Sequence, residues 1–150
     1  MRVGILGSGL MGGKLGTIFA RAGHEVVFSY VRTRRKLETL ARDAKGTARA
    51  GTPREAVEEA DALLLAVHWS RVGDVLSQAG DLSGKVIVSC SLPMNTRNTE
   101  LVFAHTASEA EVLATKAPRA AIVSAFGTVP SEALFRVFES RRNVARPSLV

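Results

Sequence analysis

The sequence predicts an α/β fold in which a doubly wound parallel sheet carries helices on both faces, giving three αβα layers. Short apolar runs of strand length recur along the chain, and stretches with apolar residues at helical spacing separate them. Glycine or proline stands at many of the junctions between these segments. The chain is long enough for one domain with its own hydrophobic core, so residues 1–150 are predicted to form a single unit.

The first half of the chain alternates strands with helices from its second residue onward. Apolar "RVGIL" is typical of a buried strand, and the next segment has helical spacing of apolar residues until Gly23 ends it. A third helix begins in "TPREAVEEA", where Thr52 suits the N-cap and Glu55 completes a capping box. The predicted strands here are 2–6, 24–31 and 47–50, and the first two predicted helices are 11–23 and 34–44.

The second half of the chain continues the alternation. "DALLLAVH" and "KVIVSCSL" have the unbroken apolar character of strands that are buried on both faces. Ser108 and Glu111 form a second capping box, and Pro118 ends the helix that follows it. The predicted strands are 61–68, 85–92 and 120–127, and the remaining predicted helices are 69–80 and 131–140.

The composition of the chain indicates the cellular compartment of the protein. No apolar run approaches the roughly 20 residues needed to span a bilayer, and the first residues lack the pattern of a signal peptide. Cys90 is the single cysteine, which excludes an internal disulfide and fits a reducing cytosol. Because Cys90 ends an apolar run, a buried, inert thiol is favoured over a nucleophile. The sequence therefore predicts a cytoplasmic protein that does not enter a membrane.

A glycine-rich turn follows the first predicted strand. "GSGLMG" places Gly7, Ser8, Gly9, Leu10, Met11 and Gly12 between a strand and a helix, and a second strand follows at the distance typical of a dinucleotide-binding βαβ unit. Gly7 permits the tight turn, Gly9 lets the backbone approach a pyrophosphate, and Gly12 allows close packing of helix against strand. Free N–H groups at the helix start would then bind the phosphates. This pattern predicts a Rossmann-type dinucleotide site at residues 7–12.

The segment after the second predicted strand is strongly basic. The net charge is +6, and residues 29–49 hold seven Arg or Lys against two acids. In a Rossmann-type fold this strand end lies beside the adenosine ribose, where an acid favours NAD and arginines favour the 2′-phosphate of NADP. Ser29 or Thr33 is the candidate hydroxyl donor, and Arg32, Arg34 or Arg35 is the candidate charge. Arg32 is the first choice for the phosphate contact, and Arg35 is the second. Tyr30 packs either beside the adenine or against a helix.

Other ligand classes are disfavoured by the sequence. Nucleic-acid binding lacks interleaved aromatic residues or a known module. Three histidines and one cysteine are scattered along the chain, so no metal site is predicted. His24 and His105 are interpreted as structural residues. The basic segment is therefore predicted to bind NADP(H), with a small-molecule redox substrate as the other partner.

With these motifs in place, the chain resembles the coenzyme F-420-dependent NADP oxidoreductases. This family is related to pyrroline-5-carboxylate reductase and to the cytosolic domain of the STEAP ferric reductases. Five ordered blocks carry the resemblance: "MRVGILGSGLMGGKLG", "RAGHEVVFSYVRTRRKLETLA", "EADALLLAVHWSRVGDVL", "LSGKVIVSCSLPM" and "VSAFGTVPSEALF". The resemblance implies hydride transfer between NADPH and a deazaflavin, both bound along the carboxyl ends of the strands.

The resemblance also assigns residues to the two ends of the site. Val67, His68 and Trp69 would lie over the cofactor, Ser91 and Pro93 would flank the nicotinamide, and "FGTVP" (126–130) would border the second substrate. His68 is the one ionisable candidate for catalysis, and its alternative is a loop histidine bonded to backbone. Trp69 either shields the cofactor edge or caps the following helix.

Two further expectations concern the acceptor and the end of the chain. An NADPH-dependent flavin, ferric or imine reductase and a non-catalytic NADPH-binding module are the alternative functions. The chain stops on the apolar pair Leu149 and Val150, which resembles the start of another strand. The sequence is therefore interpreted as a fragment or truncated member of a longer family, and a homodimer is predicted.

Overall fold

The computed structural model describes residues 1–103 and 106–142. His105, predicted to be structural, and the terminal segment "ARPSLV" lie outside these residues. The six strands are β1 (Arg2–Leu6), β2 (Glu25–Ser29), β3 (Ala48–Ala50), β4 (Ala62–Leu65), β5 (Val86–Ser89) and β6 (Ala121–Ser124). They form one parallel sheet in the order β3-β2-β1-β4-β5-β6.

Six α-helices connect the strands or follow them. They are α1 (Leu10–Arg21), α2 (Arg34–Asp43), α3 (Pro53–Glu58), α4 (Val72–Ala79), α5 (Glu109–Lys116) and α6 (Ser131–Glu139). Both predicted capping boxes form, so Thr52 starts α3 and Ser108 starts α5 with two reciprocal hydrogen bonds each. These local signals explain why the helix starts could be read from the sequence.

The sheet buries apolar side chains on both of its faces. Successive strand residues point to opposite faces, so Leu63 and Leu65 pack on one side while Leu64 packs on the other. The first face carries residues of α3, α4 and α5: Val57, Val75 and Leu113. The second face carries residues of α1, α2 and α6: Leu15, Leu37 and Leu134. The predicted doubly wound, three-layer Rossmann-type fold is confirmed.

Four predicted strands are too long at their carboxyl ends, among them the sixth, predicted over 120–127, since β6 ends at Ser124. β2 stops at Ser29 because Tyr30 takes the left-handed region, with φ of 56°, which no parallel ladder accommodates. β4 stops at Leu65 and β5 at Ser89, and the residues beyond them form loops. The predicted helix 69–80 is a 3₁₀ turn over Trp69–Arg71 followed by α4. These early strand ends leave room for a groove.

Candidate dinucleotide site

A groove of about 1080 Å³ lies along the carboxyl ends of β1, β2 and β4. β1 pairs with β2 on one side and with β4 on the other, so this is the point where the strand order reverses. The groove is lined by Gly7 and Gly9, residues 30–34, 36 and 37, residues 50–53, residues 66–68, 70 and 71, and by Asp74, Gln78 and Thr96. Ligands of open α/β sheets bind at this position.

The glycine turn is built so that side chains cannot replace two of its glycines. Gly7 has φ of 109°, and a Cβ there would lie 2.5 Å from the carbonyl oxygen of Ala66. A Cβ on Gly12 would lie 1.9 Å from the carbonyl oxygen of Gly7. The N–H groups of Gly7 and Ser8 donate to Ser29 at 3.2 and 3.1 Å, which ties the turn to β2. Backbone packing alone therefore requires glycine at positions 7 and 12.

Gly9 differs from the other two glycines because space is open around it. A Cβ on Gly9 would meet no atom within 4 Å, and Gly9 is the N-cap of α1 without a side-chain cap bond. The first N–H groups of a helix have no partner within the helix, here those of Leu10, Met11 and Gly12. They leave the positive end of α1 available to an anion in the groove.

Ser8 faces inward instead of toward the groove. Its side chain is fully buried, and its hydroxyl donates to the carbonyl oxygen of Ser29 at 2.9 Å. The hydroxyl of Ser29 is also fully buried and donates to the carbonyl oxygen of Ile5 at 2.6 Å. The structure thus places the hydroxyls of Ser8 and Ser29, two residues predicted to contact the cofactor, inside the β1–β2 connection, where they hold the turn in shape.

The basic segment after β2 forms one wall of the groove. Arg32, Thr33, Arg34 and Lys36 line it, whereas Arg35, which is exposed like them, does not. Arg34 pairs with Glu38 one turn along α2 at 3.3 Å. Within residues 1–103 and 106–142, Arg32 makes no ion pair, so its guanidinium is available to an anionic group. This placement favours Arg32 over Arg35 as the phosphate contact.

Tyr30 spans the groove from the end of β2 to α4. Its hydroxyl donates to Asp74, and its ring packs against the apolar cluster formed by α3, α4 and α5. Partial burial and then the Asp74 carboxylate raise the pKa of Tyr30 to about 12. The same hydrogen bond lowers the pKa of Asp74. Sequence reasoning missed Asp74 because no local pattern links it to a tyrosine on another strand.

The loop after β4 carries Val67, His68 and Trp69. The first two line the groove, but Trp69 does not; it packs edge-on against Phe103 with ring centroids 5.3 Å apart. His68 caps the 3₁₀ turn, since its Nδ1 accepts from the N–H of Ser70 at 3.2 Å. Its Nε2 then donates to Asn98 at 2.9 Å. Both ring nitrogens of His68 are therefore used within the loops.

The loop after β5 is tied to the loop after β4. The hydroxyl of Ser91 donates to the carbonyl oxygen of Val67 at 2.8 Å, and Ser91 is buried. Cys90 contacts the carbonyl oxygen of Leu65, and burial raises the pKa of its thiol to about 11. Pro93 accepts a backbone bond from Val102 at 2.7 Å. Neither Ser91 nor Pro93 lines the groove itself.

A carboxylate missed by sequence reasoning links β5 to β6. Glu109, at the start of α5, accepts hydrogen bonds from Ser89 at the end of β5 and from Ser124 at the end of β6. Ser89 in turn accepts from the N–H of Ser91 at 3.3 Å. The polar side chains at this edge of the sheet thus bind one another.

Two kinds of site are not found in the part of the chain that the structure describes. No group of three or more His, Cys, Asp or Glu residues there could hold a metal ion. No helix among the described residues is long and apolar enough to cross a membrane.

Comparison with known proteins shows a matching family and a relative of this chain. The model of the family described as NADP oxidoreductase, coenzyme F420-dependent, matches residues 2–93, which include the whole glycine turn and basic segment. The metalloreductase STEAP3 of Rattus norvegicus is 30% identical over 133 residues, which are 89% of this chain and 26% of the rat protein.

Two solved structures share the fold. A structure from Arthrobacter sp. FB24, provisionally named an F420-dependent NADP reductase, superposes with a TM-score of 0.80 at 20% identity, covering 94% of this chain and 68% of that one. A hypothetical protein from Sinorhizobium meliloti superposes with a TM-score of 0.76 at 23% identity, covering 89% of this chain and 64% of that one. The chain thus spans about a quarter of the rat metalloreductase and about two thirds of these structures.

Proposed function

Because the chain belongs to the coenzyme F420-dependent NADP oxidoreductase family, we propose that it transfers hydride between NADPH and coenzyme F-420 or a similar acceptor. Residues 1–150 are proposed to act as one NADP-binding domain in the cytoplasm, and as a homodimer. Family membership supports an oxidoreductase that uses NADP. The acceptor and the site residues are the part that we propose.

One observation carries the cofactor assignment: where the adenosine ribose would lie, the groove has an arginine that makes no ion pair with any residue that the structure describes. Arg32 follows β2 and lines the groove, and no acid lies between Gly12 and Arg32 except Glu25 at the far end of β2. An arginine there offers bidentate donors to the 2′-phosphate of NADP. NAD lacks that phosphate, so the arginine adds nothing to its binding. The groove is therefore proposed to prefer NADPH over NADH.

The residues of the groove fit a dinucleotide along its length. The N–H groups of Leu10, Met11 and Gly12 would hold the pyrophosphate at the start of α1, with Gly9 leaving the space that it needs. Arg32 would hold the 2′-phosphate. Val67 and His68 would lie along the nicotinamide side, with Ser91 behind them fixing the carbonyl of Val67.

Hydride transfer requires alignment and exclusion of water more than it requires an acid or a base. NADPH, when bound, supplies the hydride. The two loops after β4 and β5 are tied together by Ser91 and by the His68–Asn98 bond, so they form a fixed wall against which a ring can be oriented. His68 stays our candidate for contact with the reacting rings.

The cofactor assignment is tested by titrating the protein with NADPH and with NADH under one salt concentration. We expect NADPH to bind at least about ten-fold more tightly, because one charge-assisted contact is worth that factor. Equal affinity for the two would contradict the proposal. Turnover is then measured as NADPH oxidation with coenzyme F-420 as the acceptor.

A second candidate rests on the rat metalloreductase. Its 30% identity over 89% of this chain favours reduction of a metal complex with the same NADPH. Running the turnover assay with F-420, a free flavin, a ferric chelate and a cyclic imine separates the two enzyme functions. Tight NADPH binding without turnover for any acceptor would indicate an NADPH-binding module instead.

A further inference from the structure

The Tyr30–Asp74 pair crosses the same groove and calls for its own explanation. Asp74 is the one carboxylate that lines the groove in the described part of the chain. A negative charge in a site for a polyanion weakens binding by simple electrostatics. The presence of Asp74 in the groove therefore suggests a role that offsets this loss of binding.

The geometry of Tyr30 shows what Asp74 holds in place. Tyr30 has φ of 56°, a left-handed region that non-glycine residues adopt at an energetic cost and that is concentrated at functional sites. Its carbonyl oxygen accepts from the N–H of Ser8 at 3.2 Å, so the residue is fixed to the glycine turn. Its ring rests on the apolar cluster between the sheet and α4. The Asp74 bond fixes the remaining free end, the hydroxyl.

Asp74 is itself held from several directions. The amide of Gln78 donates to its Oδ1 at 3.1 Å, while Tyr30 donates to its Oδ2. Arg71, which also lines the groove, lies near enough to stabilise its negative charge. Both carboxylate oxygens are thus engaged, and the side chain is a rigid anchor.

We propose that Asp74 is a positioning residue that holds the Tyr30 ring as the wall for the adenosine half of the dinucleotide. The inference rests on the proposed NADP site and deepens it. Tyr30 and Asp74 form a clasp, meaning the hydrogen-bonded pair that joins the end of β2 to α4. With the clasp formed, the ring is preset for the adenosine and no freedom is lost on binding. The clasp concerns affinity for the adenosine half and leaves the hydride step untouched.

Adenosine 2′,5′-bisphosphate is the probe, because it carries the adenosine half and the 2′-phosphate without the nicotinamide. Its dissociation constant is measured by calorimetry for the wild type, Asp74→Ala, Asp74→Asn and Tyr30→Phe. We expect Asp74→Ala and Tyr30→Phe each to weaken binding about ten-fold, and the double variant to be no weaker than either. Asp74→Asn keeps an acceptor for the hydroxyl and is expected to bind nearly as the wild type.

Asp43→Ala is the matched control, since it also removes one carboxylate but lies on α2 outside the groove lining. It should leave the dissociation constant within about two-fold. Loss of the Asp74 charge alone would tighten binding of the probe, whereas loss of its positioning role would weaken it. The direction of the change in Asp74→Ala therefore separates the two effects. Tighter or unchanged binding by Asp74→Ala would overturn the proposal, as would failure of Asp74→Asn to restore affinity. No binding by the wild type would instead reject the NADP site itself.

A second measurement reads the clasp without any ligand. Tyr30 is the single tyrosine, so the ultraviolet absorbance of phenolate reports on it alone. Asp74→Ala should move the phenol titration down from about 12 toward its ordinary value of 10.0. An unchanged titration in that variant would mean that the clasp does not form in solution.

Discussion

The two halves of the groove differ in whether their polar groups are free or are already hydrogen-bonded to one another. In the half of the groove proposed for the adenosine, Arg32 makes no ion pair among the described residues, and the N–H groups of residues 10–12 have no partner within α1. On the nicotinamide side, the polar side chains are already bonded to one another: His68 to Ser70 and Asn98, and Ser91 to Val67. One half keeps its binding groups available, and the other uses them to fix its loops.

This difference matches the chemistry that each half would perform. Phosphates need donors that are free until the ligand arrives, and such donors contribute binding energy. A nicotinamide ring needs a fixed, dry surface, which a self-bonded loop pair provides. Variants on the adenosine side should therefore change affinity, whereas variants on the nicotinamide side should change stability and alignment.

The largest expected effect separates two glycines of the same turn. Gly9→Ala places its Cβ in open space where the pyrophosphate would lie, so we expect unchanged stability and about 100-fold weaker NADPH binding. Gly12→Ala drives its Cβ into the carbonyl oxygen of Gly7, so we expect a loss of about 3 kcal/mol in unfolding free energy. Thermal unfolding and NADPH titration measure both effects. Equal affinity of Gly9→Ala and the wild type would place the phosphates elsewhere.

The next effect tests which arginine binds the 2′-phosphate. Arg32→Ala should weaken NADPH binding about 10–100-fold and leave NADH binding unchanged, because it removes one charge-assisted contact. Arg35→Ala removes the same charge from a side chain outside the groove, so its NADPH affinity should change less than about three-fold. Fluorescence titration of both cofactors gives the comparison. If Arg35→Ala lost as much as Arg32→Ala, the effect would come from net charge alone.

A smaller effect is expected at His68 on the nicotinamide side. His68→Ala removes the N-cap of the 3₁₀ turn and the bond to Asn98, so it should cost about 1 kcal/mol of unfolding free energy. Turnover should fall less than about ten-fold, since hydride transfer needs no side-chain proton. Chemical denaturation measures the unfolding free energy of this variant, and steady-state kinetics measure its turnover. A thousand-fold loss of kcat with full stability would make His68 a catalytic residue.

A fourth effect is the response of stability to alkaline pH. Folding raises the pKa of Cys90 from 9.0 to about 11 and that of Tyr30 from 10.0 to about 12. Each raised pKa contributes stability that is complete below the unfolded value and lost as pH rises through the folded one. Cys90→Ala should therefore flatten the decline between about pH 9 and 11, and Tyr30→Phe the decline between about pH 10 and 12. The denaturation midpoint is measured across this pH range for the wild type and both variants. If both variants follow the wild type, these assignments are contradicted.

The fold was predictable because its signals are local. Capping boxes at Thr52 and Ser108 fix two helix starts, and buried strands such as β4 are recognisable from composition alone. The glycine turn was predictable for the same reason, since its strand and helix lie next to it in sequence. The basic wall after β2 followed from its distance to the turn.

The rest of the site depends on contacts between distant parts of the chain. Nothing near Tyr30 indicates that Asp74 would receive its hydroxyl, or that Ser29 would turn inward to the carbonyl of Ile5. The sequence already ranks Arg32 before Arg35, and the structure adds that Arg32, before α2, lines the groove whereas Arg35, on α2, does not. Glu109 was missed since its partners, Ser89 and Ser124, stand at the ends of two other strands.

The strand order has a consequence for how the chain is assembled. β1 is synthesised first, yet it lies in the middle of the sheet, where Val3 needs Val26 on one side and Ala62 on the other. A nascent chain released before Leu65 would expose one edge of β1 together with its apolar face, and such edges promote aggregation. Both edges of β1 are therefore paired only once β4 has emerged.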